Sequence, residues 1–177
     1  LEDQVRDFCA RCLDPLVGSS GFDIIAELAS MLPMRVIGML LGLPAEDQVA
    51  VRNRTDANLR TVPGEPMDVK EENVARGDYF ADYIEWRSKH PSDDLMTELL
   101  VAEYEDEDGE RKRLTREEVL GYVNLLAAAG NETTTTLIGN AVLELLAHPD
   151  EQKRLRDDPG LLPSAIEEVL RFASPVQ

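Results

Sequence analysis

The chain has 177 residues, 43% of them hydrophobic but only 5% aromatic, and 35 acidic side chains stand against 18 basic ones. That content excludes a disordered chain and predicts a globular unit whose core is filled by aliphatic side chains. A net charge of −17 repels nucleic acid and anionic membrane surfaces, and no apolar run approaches the roughly 18 residues of a membrane span, so neither partner is expected and a cytoplasmic location is.

From Leu1 to about Leu16, Val5, Phe8, Cys9, Cys12 and Leu13 recur at helical spacing among charges. Cys9 and Cys12 fall one turn apart. With no second pair for a tetrahedral zinc site and no βαβ pattern around them, they read as structural cysteines. Gly18-Ser19-Ser20-Gly21 ends this helix, and Phe22–Ile25 has the content of a short extended piece. Ala26–Leu41 is a helix apolar nearly all round, jointed at Pro33 and closed by Gly42-Leu43-Pro44. A polar helix follows over Ala45–Arg60, then a loop at Pro63-Gly64-Glu65-Pro66. Asp68 to about Ser88 is a long helix whose Val74, Tyr79, Phe80, Tyr83, Ile84 and Trp86 suit packing better than ligand contact.

Ser92 starts the next helix as its cap, with Asp93 and Asp94 in the first turn and Leu95, Met96, Leu99, Leu100 and Ala102 beyond. EYEDEDGERKRLT, an acid block followed by a basic one, reads as a solvated loop; it lacks the Asp-x-Asp-x-Asp-Gly spacing of a calcium site. The stretch from Thr115 to about His148 is the longest helix. Thr115 and Glu118 make a capping box, apolar residues recur at three and four on both flanks, and Pro149 blocks continuation. Apolar on most of its circumference, this helix is expected to run through a core. Its middle breaks the pattern: Gly130 costs about 1 kcal/mol against alanine, and Thr133 to Thr136 are four β-branched residues in a row. Helical spacing sets Ala129 and Gly130 on one face with Thr133 and Thr134, and Glu132 lies beside it in a setting expected to be buried. Such a departure marks either a functional site or close helix packing over small residues.

Ala129-Gly130-Asn131-Glu132-Thr133-Thr134 resembles the oxygen-binding helix of the cytochrome P450 monooxygenases, whose pattern is small-Gly-any-acid-Thr. Glu168-Val169-Leu170-Arg171, in the run AIEEVLRFASPV, resembles the family's Glu-any-any-Arg helix. LLAHPDEQKRLRDDP is similar to the usual connection between the two, and FDIIAELASMLPMRVIGMLLGLP to a stretch of the soluble bacterial members. The resemblance implies that residues 1–177 are a single partial domain, an internal segment of a haem-thiolate monooxygenase. Its fold would be all-α, an orthogonal multi-helix array with a long central helix. No cysteine here stands where the family's iron ligand does.

By the same resemblance Ala129, Gly130, Thr133 and Thr134 lie against the haem, and Glu132 and Thr133 are the catalytic pair. Thr133 would offer a hydrogen bond to the oxygen under activation, and Glu132 would shuttle protons from solvent as a carboxylic acid tuned by partial burial. Thr135 and Thr136, elsewhere around the helix, are expected to matter little. Glu168 and Arg171 would pair and brace the haem-side core. The loop at Pro63–Pro66 would join the helices that roof the substrate pocket. The implied cofactor is haem, the substrate a small organic molecule, and the electron donor a ferredoxin or flavoprotein reductase. The segment alone is expected not to bind haem as the family does, to expose surface that further chain would cover, and to use His90 and His148 as helix-end groups. The alternative is a non-enzymatic, all-helical binding or scaffold module.

Overall fold

A computed structural model describes the backbone of residues 1–59 and 78–176, and the side chains of 1–53 and 80–176. The expected loop at Pro63–Pro66 and the first half of the helix from Asp68 lie outside the described residues. The elements are α1 (Glu2–Leu13), α2 (Leu32–Leu40), α3 (Ala45–Leu59), α4 (Asp78–Lys89), α5 (Leu95–Val101), a hairpin of β1 (Glu103–Glu105) and β2 (Arg111–Arg113), α6 (Arg116–Ala147), α7 (Pro149–Asp157) and α8 (Leu162–Phe172). Single 3₁₀ turns cover Asp14–Leu16 and Pro159–Leu161, and a π-helical turn covers Ile25–Ala29. The class is all-α, as the sequence predicts. No helix among the described residues is long and apolar enough to cross a membrane. Packing divides the chain into two compact units, Met34–Gly130, and Leu1–Pro33 with Asn131–Gln177.

The Met34–Gly130 unit holds an aliphatic core. Met34, Ile37 and Leu41 of α2, Val51 of α3, Phe80 and Ile84 of α4, Met96 of α5, and Val119, Val123 and Ala127 of α6 are its buried members, with Leu43. Their spacing of three and four along α2, α4 and α6 sets them on one stripe of each helix, and each large side chain withdrawn from water contributes about 1.5–3 kcal/mol. A polar knot closes this core. Arg87 Nη2 lies 2.9 Å from Asp94 Oδ2, with side chains 10% and 3% exposed, and it also donates to the Gly42 carbonyl at 2.9 Å. Gly42 has φ +67°, and a Cβ there would sit 2.2 Å from Asp94 Oδ2. Only glycine fits, on both counts. Asp94 Oδ1 accepts from Thr97 N at 2.8 Å, so Asp94, not Ser92, is the cap of α5. Ser92 instead donates its backbone N–H to Thr97 Oγ1 at 3.0 Å.

The acid-then-base run is a hairpin, not a loop. Glu103 pairs with Arg113, Tyr104 with Lys112 and Glu105 with Arg111 in antiparallel register. Reversal of the chain sets the acidic block opposite the basic one, so cross-strand attraction supports the register: Arg113 Nη2 reaches Glu103 Oε1 at 2.6 Å, and Lys112 pairs with Asp106. Gly109, at φ +79°, turns the corner, and Asp106 Oδ1 accepts from the Asp108 and Glu110 backbone N–H groups at 3.0 and 2.8 Å.

In the other unit, α1 (jointed to its 3₁₀ turn), α7 and α8 bury no residue fully. The extended piece expected at Phe22–Ile25 is not formed. Asp23 Oδ1 accepts from Ile25 N at 2.9 Å and Ala26 N at 3.2 Å, a local capping interaction that opens a helical turn instead. That turn is π-helical, with Ser30 N donating to the Ile25 carbonyl at 2.9 Å. Cys9 and Cys12 are free and half-buried; burial first, and the neighbouring Cys9 second, push the Cys12 thiol up. Leu143, Leu146, Ile166 and Phe172 are exposed, so this unit presents the apolar surface the sequence leads one to expect.

Candidate functional site

The site is built along α6. At its start the capping box is complete: Thr115 N donates to Glu118 Oε2 at 2.7 Å, and Glu118 N donates to Thr115 Oγ1 at 3.2 Å. The Thr115 backbone N–H first, and the Thr115 hydroxyl, which donates to the same Oε2 at 2.9 Å, second, hold the Glu118 carboxyl below its ordinary value. The helix then runs unbroken for 32 residues through Gly130 and the threonines, about 48 Å at 1.5 Å per residue. It ends where Pro149 opens α7 in the first turn, the position where a missing N–H costs nothing.

Within this segment α6 meets a core along one side. Only Val119, Val123, Ala127 and Asn131 are buried along it, one narrow stripe at four-residue spacing. On the far side Tyr122, Leu125, Ala129, Glu132, Thr136 and Leu143 are exposed, and their spacings of three, four and seven make a second continuous stripe. Leu125 is 61% and Leu143 65% exposed. Apolar residues encircle the helix as the sequence indicates, but protein covers only part of the circumference.

Each expected site residue can be placed against these stripes. Ala129 sits on the open stripe. Gly130 does not share its face: it is half-buried, and a Cβ there would meet Ile37 Cδ1 of α2 at 3.0 Å, so that glycine admits a core side chain. Thr133 is half-buried and one turn beyond Ala129, and Thr134 is exposed. Glu132 is exposed, against the expected burial; it projects from the open stripe 220° around from Val119 by helical count, away from the packed side. Thr135, read from sequence as incidental, is engaged. Its hydroxyl lies 3.0 Å from the Ala29 carbonyl and 2.9 Å from that of Asn131. Thr136 falls on the open stripe with Ala129.

On α8, Glu168 and Arg171 meet as a fork, Arg171 Nε to Glu168 Oε2 at 2.8 Å and Nη2 to Oε1 at 2.6 Å. The arginine's hydrogen bonds hold the Glu168 carboxyl below its ordinary value. Both side chains are more than half exposed. His90 Nδ1 and His148 Nδ1 lie 3.0 and 2.9 Å from the carbonyls of Trp86 and Glu144, one turn back at helix ends, the role expected of them. Among the described residues no group of three or more His, Cys, Asp or Glu is placed to hold a metal ion.

Known proteins match along this frame. The family model for Cytochrome P450 matches residues 67–159, which include all of α6. The chain is similar to cytochrome P450 CYP107DY1 of Priestia megaterium, 39% identical over 178 residues, covering 99% of this chain and 42% of that protein. It is similar to vitamin D(3) 25-hydroxylase of Pseudonocardia autotrophica, 41% identical over 182 residues with the same coverage. Among solved structures it resembles CYP109E1 from Bacillus megaterium in complex with corticosterone, with a TM-score of 0.82, 36% identity, and coverage of 99% of this chain and 47% of that one. The chain thus spans about two-fifths of the length of the curated relatives it matches. A model matching more than half of the residues, with relatives alike from end to end of the chain, places it plainly: the chain belongs to the cytochrome P450 family.

Proposed function

We propose that the protein carrying this segment is a haem-dependent monooxygenase, with the open stripe of α6 lying against the haem and the substrate. The observation that carries this reading is the family match across all of α6, and the stripe supplies a face for it. A small residue, Ala129, stands at the centre of an exposed apolar face, flanked by Tyr122 and Leu125, with Glu132 and Thr133 at its edge. A flat apolar macrocycle fits such a face: it needs room at the middle and hydrocarbon at the sides. When bound, the haem supplies the reductive activation of dioxygen for insertion into a C–H bond.

The chain's own residues then handle protons. Thr133, half-buried one turn from Ala129, holds a hydroxyl proton at Oγ1 beside the reacting oxygen, an orienting and donating role. Glu132, exposed next to it, is the solvent end of the path, because an exposed carboxylate recharges from water directly. Thr134, five residues on from Ala129, falls about 140° around the helix from it and takes no part in this face, while Gly130 supports the face from behind by letting α2 approach. Glu168 and Arg171 brace α8 through their two-point fork. The overall reaction places one oxygen atom in the substrate and releases the other as water. Two electrons arrive from reduced nicotinamide through a ferredoxin or flavoprotein reductase, and two protons arrive through Glu132 and Thr133. The substrate is a small, largely apolar organic molecule, and the location cytoplasmic; a vitamin D hydroxylase and a corticosterone complex among the similar proteins favour a sterol-sized pocket.

The test is made in the intact protein. Thr133→Ala should retain haem and substrate binding but divert reduced nicotinamide into peroxide, dropping product per nicotinamide several-fold. Glu132→Gln should slow the proton-dependent steps, because an amide cannot relay a proton. Unchanged coupling in Thr133→Ala removes its role, and an intact protein that takes up no haem returns the chain to a binding or scaffold module.

A further inference from the structure

Thr135 lies two residues beyond Thr133 on α6, and its hydroxyl reaches a carbonyl 106 positions away in sequence, that of Ala29 at 3.0 Å. Ala29 is fully buried and ends the π-helical turn Ile25–Ala29. One turn further along α6, Gly139 faces the other end of that same turn: a Cβ there would fall 2.9 Å from Ile25 Cδ1. Thus two α6 positions at i and i+4 engage the last and the first residue of one π turn, a hydroxyl at one end and a bare backbone at the other. Insertions of this kind in helices often accompany functional segments. The same hydroxyl can also bond back to Asn131 at 2.9 Å, which by itself would loosen the helix; the Ala29 carbonyl gives its single proton an outside partner.

We infer that Thr135 is a positioning residue, whose hydroxyl, tied to the π turn, fixes the rotation of α6 about its axis where Glu132 and Thr133 project. The geometry sets how much this matters. Side-chain tips of a helix stand about 5.5 Å from its axis, so a roll of about 10° moves the Thr133 hydroxyl by about 1 Å, and a misplacement of that size costs on the order of 100-fold in a reaction that depends on orientation. The inference rests on the proton-handling roles proposed for Glu132 and Thr133.

The experiment compares Thr135→Val, which keeps the branched shape and removes the donor, with Thr135→Ser, which keeps the donor, in the intact protein. Amide hydrogen exchange of residues 131–137 and 29–31 is read with and without haem, and product and peroxide per reduced nicotinamide are read in the loaded enzyme. Thr135→Val should speed exchange in both segments about tenfold and lower coupling at least about fivefold, and Thr135→Ser should restore both. Added to Thr133→Ala, Thr135→Val should lower coupling little further. Faster exchange with unchanged coupling, no change in either, or no rescue by serine overturns the positioning role. If Thr133→Ala itself leaves coupling unchanged, the proposed proton path fails first, and the positioning role falls with it because nothing remains to be aimed.

Discussion

Gly42→Ala is the sharpest test of how the Met34–Gly130 unit is held. The alanine must adopt φ +67°, which costs a side chain about 1–2 kcal/mol. Its Cβ would also sit 2.2 Å from Asp94 Oδ2 and 2.6 Å from Arg87 Nη2, so the ion pair must move. That pair is nearly dry, and breaking such a pair costs about 3–5 kcal/mol because each charge is left without its partner. Partial relaxation of the arginine lowers the second term, giving a net loss of about 3–6 kcal/mol, a large share of the roughly 5–15 kcal/mol that holds a domain. Urea unfolding followed by circular dichroism measures it from the midpoint at constant slope. The matched control is Gly121→Ala, on the exposed side of α6 with nothing within 4 Å of its Cβ; it should stabilise by about 0.5–1 kcal/mol, since alanine restrains the unfolded chain and favours helix. A loss below about 1 kcal/mol at Gly42 would refute the knot as described, and a loss at Gly121 would refute the reading of α6 as open there.

Gly130→Ala meets only the flexible end of Ile37 at 3.0 Å, so unfolding stability should change by less than about 1 kcal/mol and haem titration should be unaltered. Ala129→Leu, on the open stripe, should instead weaken haem binding at least tenfold, both titrations being made in the intact protein; the reverse pattern would mean the faces are exchanged. Glu118 is held below its ordinary value near 4.5 by the capping box, so its contribution is full above that pH and is lost as pH falls through the lower folded-state value. Glu118→Gln should therefore lower the urea midpoint at pH 6, and its difference from the parent should shrink as pH falls below 4.5.

The regular helices were legible because their apolar spacing of three and four is what each buries, and the capping box at Thr115 and Glu118 was legible because it is entirely local. Charge content alone conceals the hairpin at Glu103–Arg113: an acidic block, an Asp-Gly turn and a basic block are also the ingredients of a self-complementary hairpin. The Phe22–Ile25 stretch forms no strand because the Asp23 cap outweighs its β-branched content.

The centre of α6 teaches a different point. Sequence alone offers its rule-breaking residues one cause or the other, a functional site or close packing, and position by position they answer differently. Gly130 admits Ile37, Gly139 admits Ile25, and Thr135 reaches the Ala29 carbonyl, all matters of close approach by segments distant along the chain. Ala129, Glu132 and Thr136 look the other way and are exposed. Close approach on one side and exposure on the other both draw on small and hydroxylated residues, and a linear motif records only their sum. Periodicity at 100° per residue could separate Gly130 from Ala129, but which side is gripped depends on partners about a hundred residues upstream, and no local pattern encodes that.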